Sequence, residues 1–93
     1  MLEFLVIAKD KPKSLALREE KREEHLRFLN SAKLTIKLAG PLVEKDNMVG
    51  TVLVIVATSL KALQEFLQED PYQKAGLFAS VTIQEMKVVI NNE

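Results

Sequence analysis

Apolar residues alternate along the first segment: Leu2, Phe4 and Val6 face one way, while Leu5 and Ile7 face the other. A period of two over residues 2–8 marks a strand, and Asp10-Lys11-Pro12 closes it with a loop signal. Residues 13–34 predict one long helix, which Pro12 or Ser14 can open. Leu34, Ile36 and Leu38 then alternate with Thr35, Lys37 and Ala39, a second strand that Gly40 and Pro41 interrupt. Residues 44–47 read as a polar hairpin tip before a third strand over 49–57. Thr58 or Ser59 caps a second helix with Leu60, Leu63, Phe66 and Leu67 on its inner side. Asp70-Pro71-Tyr72 ends that helix, because proline disfavours helical geometry at the residue before it. A connection through Gly76 leads to a last strand over 81–90, and only Asn91-Asn92-Glu93 reads as loose.

The order βαββαβ is the ferredoxin-like arrangement of the α+β class, one antiparallel sheet with two helices on one face. In the third strand Leu53 and Ile55 oppose Val52, Val54 and Val56, so this strand, like the first, is apolar on both faces. Two helices cover only one face of a sheet. The second face therefore predicts a homodimer packed sheet to sheet.

Composition narrows the partners. Ninety-three residues fit a single domain, 1–93, with a modest core that oligomerisation would help. Thirteen basic residues balance thirteen acidic ones, which gives no electrostatic reason to expect a nucleic-acid partner. Four phenylalanines and one tyrosine are too few for a stacking platform. The absence of cysteine excludes disulfides, thiolate metal sites and thiol nucleophiles. The longest apolar run, residues 52–57, is far too short to cross a membrane, and the N-terminus lacks the basic flank and apolar core of a signal. A cytoplasmic protein is the expectation.

The first helix carries the candidate chemistry. Its inward stripe runs Leu15, Arg18, Arg22, His25 with Leu26 beside it, Leu29 and Ala32. Polar side chains at core-facing positions are costly unless paired or in use. His25 is the only histidine, and it is either a hydrogen-bonded structural imidazole or a general acid or base working near neutrality. Asp70 is the most plausible partner: it either merely terminates the second helix or reaches His25, fixing its tautomer and stabilising its protonated form. Arg22, one turn before His25, either holds an anionic substrate group or pairs with a carboxylate such as Glu69 or Asp70. Tyr72 offers a phenolic hydroxyl or caps the core with its ring. The charge run Glu19 to Arg27 reads as a solvated face. With one histidine and no cysteine, no metal site is expected, and no phosphate loop, nucleophile elbow or zinc-protease motif asks for a cofactor.

Four fragments taken together go further. Arg22-Glu23-Glu24-His25-Leu26, Ala39-Gly40-Pro41-Leu42, Gly50 ahead of an apolar strand, and Asp70-Pro71-Tyr72-Gln73-Lys74-Ala75-Gly76 resemble the YciI-like (YCII-related) family, in order and over nearly the whole chain. The resemblance implies a dimeric α+β barrel of ferredoxin-like subunits. It also implies a site in which His25 and Asp70 form a dyad. Some relatives remove halide from chlorinated aromatic catabolites. The expectation is a small enzyme, lyase- or hydrolase-like, using the dyad for acid–base chemistry on a small anionic or aromatic metabolite, with Arg22 and Tyr72 binding the substrate. The alternative is a non-catalytic module that binds a small molecule or stabilises an oligomer. The short hairpin around Asp46-Asn47 departs from longer family loops and leaves any contacts those loops make without a counterpart.

Overall fold

Alternation in the first strand places Phe4, Val6 and Ala8 in the core, and the partner strand answers with Leu53, Ile55 and Ala57. This pairing is the centre of the computed structural model, which describes residues 1–92. The elements are β1 (Leu2–Asp10), α1 (Leu15–Asn30), β2 (Thr35–Glu44), β3 (Asn47–Ala57), α2 (Leu60–Gln68), α3 (Pro71–Lys74) and β4 (Phe78–Met86). One sheet of order β2-β3-β1-β4, antiparallel throughout, realises the expected ferredoxin-like topology. Its far face carries Leu5, Ile7, Val52, Val54 and Val56, as the alternation predicts.

Several boundaries move, each for a local reason. Strand β2 does not stop at Gly40 and Pro41 but runs on to Glu44. It lies at the sheet edge, where a proline without an N–H removes no necessary ladder bond. Lys45 and Asp46 turn the hairpin with φ of 49° and 67°, the doubly left-handed pattern of a tight two-residue turn. Strand β4 begins at Phe78 and ends at Met86 instead of spanning 81–90, because β1 offers no pairing partner beyond Glu3. Val89 and Ile90 consequently stand exposed. Asn91 and Asn92 are exposed and irregular, and Glu93 lies outside the described residues.

The long helix is shorter than its periodicity suggests. Lys13 takes a left-handed φ of 59° ahead of it, and Ser31 closes it, its N–H and hydroxyl both donating to the Arg27 carbonyl. Ser14 stands at the N-cap, yet its side chain caps no helical N–H. The inward stripe is also narrower. Arg18 and His25 are buried and Leu29 packs against the core, but Leu15, Arg22 and Leu26 are exposed. Phe28 instead turns inward to stack on Phe66 of α2, with ring centroids 4.7 Å apart.

Helix α2 follows its pattern more closely. Of the two N-cap candidates, Thr58 and Ser59, it is Ser59 whose hydroxyl accepts the Ala62 N–H, at 3.0 Å. Leu63 is fully buried, a contribution of about 1.5–3 kcal/mol, while Leu60 at the first helical position stays largely exposed. Residues 70–76 form more than a helix stop: Asp70 is the N-cap of α3, and Pro71 opens it. Gly76, at φ +74°, ends this turn in the left-handed conformation that suits glycine.

Candidate active site

The polar residues of α1 become intelligible through what crosses beneath them. Proline at 71 holds Asp70 extended (φ −62°, ψ 127°), so its side chain folds over the start of α3. Asp70 Oδ1 accepts the Tyr72 N–H at 2.9 Å and also lies 2.9 Å from His25 Nδ1. Both side chains are buried, at 6% and 4% exposure. A carboxylate there makes Nδ1 the protonated nitrogen of a neutral imidazole and leaves the Nε2 lone pair free. Nε2 has no hydrogen-bond partner in the protein, yet no fully buried side-chain nitrogen or oxygen lacks one among the described residues. The basic nitrogen therefore reaches solvent.

It does so at a cleft of about 240 Å³ between α1 and the β2–β3 hairpin. Arg22, His25, Leu26 and Leu29 form the helix wall, Ala39, Gly40, Pro41 and Met48 the hairpin wall, with Arg18, Thr51 and Tyr72 completing it. Arg22 pairs with neither carboxylate considered for it: Glu69 is taken by Lys74 at 3.2 Å and Asp70 by His25. It is an exposed guanidinium on the rim, without an ion pair among the described residues.

Tyr72 is buried beneath both. Its ring stacks on the His25 imidazole with centroids 4.0 Å apart and planes 16° from parallel. Phe78 meets the same ring edge-on at 6.0 Å, and the Arg18 guanidinium carbon lies 4.6 Å from its centre. Burial pushes the phenol above its ordinary range, against the opposing pull of the Arg18 and Arg22 cations. The hydroxyl is thus a proton donor throughout the neutral range. Of the two readings of Tyr72, the structure shows the core ring, and the residue also borders the cleft.

One part of the site escapes the sequence. Arg18 makes a two-pronged ion pair with Asp10 (Nε to Oδ2 2.7 Å, Nη2 to Oδ1 2.9 Å), and Nη2 also donates to Thr51 Oγ1 at 2.8 Å. Burial disfavours the guanidinium charge, but the Asp10 carboxylate outweighs it and holds Arg18 above its ordinary value. The only signal for this cluster was a charged residue at an inward helix position. Asp10 reads as a loop former and Thr51 as a strand residue. Among the described residues no three of His, Asp and Glu gather as metal ligands.

The fold is that of ferredoxin-like α+β proteins, and a chain of this fold described as an antibiotic biosynthesis monooxygenase superposes with a TM-score of 0.61 at 14% identity, covering 97% of this chain and 100% of that one. The model of the YCII-related domain matches residues 2–87, and the chain belongs to that family. An uncharacterised protein of Haemophilus influenzae is 28% identical over 95 residues, covering 92% of this chain and 97% of its own. The 5-chloro-2-hydroxyhydroquinone dehydrochlorinase of Burkholderia phenoliruptrix, solved in complex with 2,5-dihydroxybenzoquinone, is 33% identical with a TM-score of 0.84, covering 91% of this chain and 93% of that one.

Proposed function

We propose that this protein is a small acid–base enzyme, lyase- or hydrolase-like, acting on an anionic or aromatic metabolite held in the cleft beside His25. The observation that carries this reading is the 2.9 Å contact between His25 Nδ1 and Asp70, which leaves Nε2 at the cleft. Nε2 takes a proton from the substrate. Asp70 fixes the tautomer and stabilises the imidazolium that forms. Arg22 offers its planar fork to a carboxylate, phenolate or enolate oxygen, and Tyr72 borders the bound ring. The likeness to a dehydrochlorinase supports loss of hydrogen halide from a hydroxylated chloroaromatic as the first reaction to test. In that step the substrate reacts in the keto form, whose chlorinated carbon carries a hydrogen. A hydroxyl proton passes to Nε2, its oxygen becomes a carbonyl, the ring double bond shifts to the chlorinated carbon, and the C–Cl bond breaks with its electron pair leaving as chloride. The same reading has the enzyme work as a homodimer, a second copy covering the apolar face of the sheet.

The experiment is chloride release from 5-chloro-2-hydroxyhydroquinone and related chlorinated phenols by the wild type, His25→Ala and Asp70→Asn. Turnover is expected from the wild type, with a fall of ~10²–10⁴-fold in both variants. Because His25 is the only histidine, nitrogen NMR reads its tautomer directly. The Nδ1–H form is expected in the wild type, and its loss in Asp70→Asn, whose amide can donate to Nδ1. Turnover that survives His25→Ala would remove the mechanism. Saturable binding of such compounds without turnover would make the cleft a carrier's pocket.

A further inference from the structure

The proposed reaction leaves the buried pair Asp10–Arg18 unused, and burial of two charges needs a reason. Their side chains are 4% and 3% exposed. Removing an ion from water costs several kcal/mol even after relaxation, and well-packed apolar residues often replace such a pair without loss of stability. A core this small has little surplus to offset that cost. What an apolar pair would lack is direction. Two bonds to Asp10 at the end of β1 and one to Thr51 on β3 fix the plane of the guanidinium. That plane meets the Tyr72 ring, with Cζ 4.6 Å from its centre.

Tyr72 passes the constraint on. Arg18 and His25 lie seven residues apart on α1, about 10 Å along the axis at 1.5 Å per residue. The Tyr72 ring contacts both, the imidazole at 4.0 Å and the guanidinium at 4.6 Å. The backbone N–H of Tyr72 binds the Asp70 oxygen that His25 also contacts. A tilt of the tyrosine therefore disturbs the imidazole plane and its carboxylate together. Arg18 also lines the cleft, and Nη1 is the one of its nitrogens that bonds neither Asp10 nor Thr51.

We infer that Arg18, held by Asp10 and Thr51, is a positioning residue for the His25–Asp70 pair: it braces the Tyr72 ring against which the imidazole is stacked. This inference rests on the acid–base reading for its consequence in catalysis, but its structural content is independent of any substrate. The two arginines of the cleft then divide the work. Arg22 contacts substrate, and Arg18 contacts the residue that orients the base.

The test is the double variant Asp10→Leu with Arg18→Met, which removes both charges and leaves no unpaired ion, alongside Arg18→Lys and Thr51→Val. The double variant is expected to melt near the wild type. Its His25 ring-proton resonances, set in the wild type by the tyrosine face, should move toward those of a free imidazole, with mixed tautomers. Arg18→Lys and Thr51→Val, which keep the charge and lose part of the clamp, should show smaller displacements in the same direction. Wild-type His25 resonances and tautomer in the folded double variant would overturn the proposal. Where a substrate is in hand, the variants should lose kcat, by ~10²-fold for misplacement on the scale of an ångström, with KM little changed. A raised KM with unchanged His25 resonances would make Arg18 a substrate ligand and overturn it as well. If no compound turns over, the acid–base reading fails while the resonances still decide the positioning role.

Discussion

At the scale of residues, Asp70 does two jobs with one oxygen, capping α3 and holding His25. A charged acceptor at a helix N-cap is worth about 1 kcal/mol, and a buried hydrogen bond to a charged group about 1.5–3 kcal/mol. Tyr72 carries a pH dependence that follows from its burial. Its phenol is raised above the ordinary value near ~10, so the folded state keeps its proton where the unfolded chain has begun to lose it. This contribution is complete below the unfolded value and is lost as pH climbs through the folded one. Tyr72 is the only tyrosine and there is no tryptophan, so phenolate absorbance reports on it alone. The native protein should ionise with a midpoint above ~10, and stability should decline with pH in that range. A midpoint at the free-tyrosine value would contradict the burial argument.

Among the elements, α1 is the unusual one, joined to its surroundings by polar contacts as much as by apolar ones. Two ties, Arg18 to Asp10 and Thr51, and His25 to Asp70, fix it to the sheet and to α3. Its position over the sheet is therefore set by directional bonds, which suits an element presenting the proposed base. The strands impose a different constraint at Gly50. A Cβ there would stand 2.5 Å from the Ala8 carbonyl oxygen and 2.9 Å from Leu42 Cδ1. The first of these is backbone and cannot swing aside. Gly50→Ala should destabilise the fold by about 1–3 kcal/mol, read as a lower urea midpoint with an unchanged slope. Gly40, with nothing within 4 Å of its would-be Cβ, should accept alanine at little cost to stability. The two variants form an internal control.

For the whole molecule, the decisive feature is the sheet face opposite the helices. Leu5, Ile7, Val52 and Val56 are only half-buried there, and Leu38 is 51% exposed. Together they form an apolar surface of the kind that marks an interface. Sedimentation of the wild type at micromolar concentration should give a dimer. Leu38→Lys, at a position already open to solvent, should keep its circular dichroism and shift the equilibrium to monomer. A wild-type monomer under those conditions would end the sheet-to-sheet reading. No helix of the described residues is long and apolar enough to cross a membrane.

The sequence by itself determined the order of the four strands and the two longer helices, and the two-faced strands. These depend on local rules: alternation, caps, and the effect of proline on the residue before it. The pairing of His25 with Asp70 was an expectation that the family resemblance supplied, since spacing along the chain does not say which side chains meet. It read β2 as interrupted at Gly40-Pro41, because whether a proline is tolerated depends on lying at a sheet edge. It set β4 three residues late at its start, because strand ends are decided by where the partner strand runs out. Arg18, Asp10 and Thr51 stayed unconnected for a related reason. Their side chains meet only after β1, α1 and β3 are assembled, across 33 residues for Arg18 and Thr51. Residue types and the family resemblance proposed the base and its carboxylate; the brace behind them depends on how a buried guanidinium, three acceptor oxygens and one aromatic ring are stacked in space, which only the tertiary structure decided.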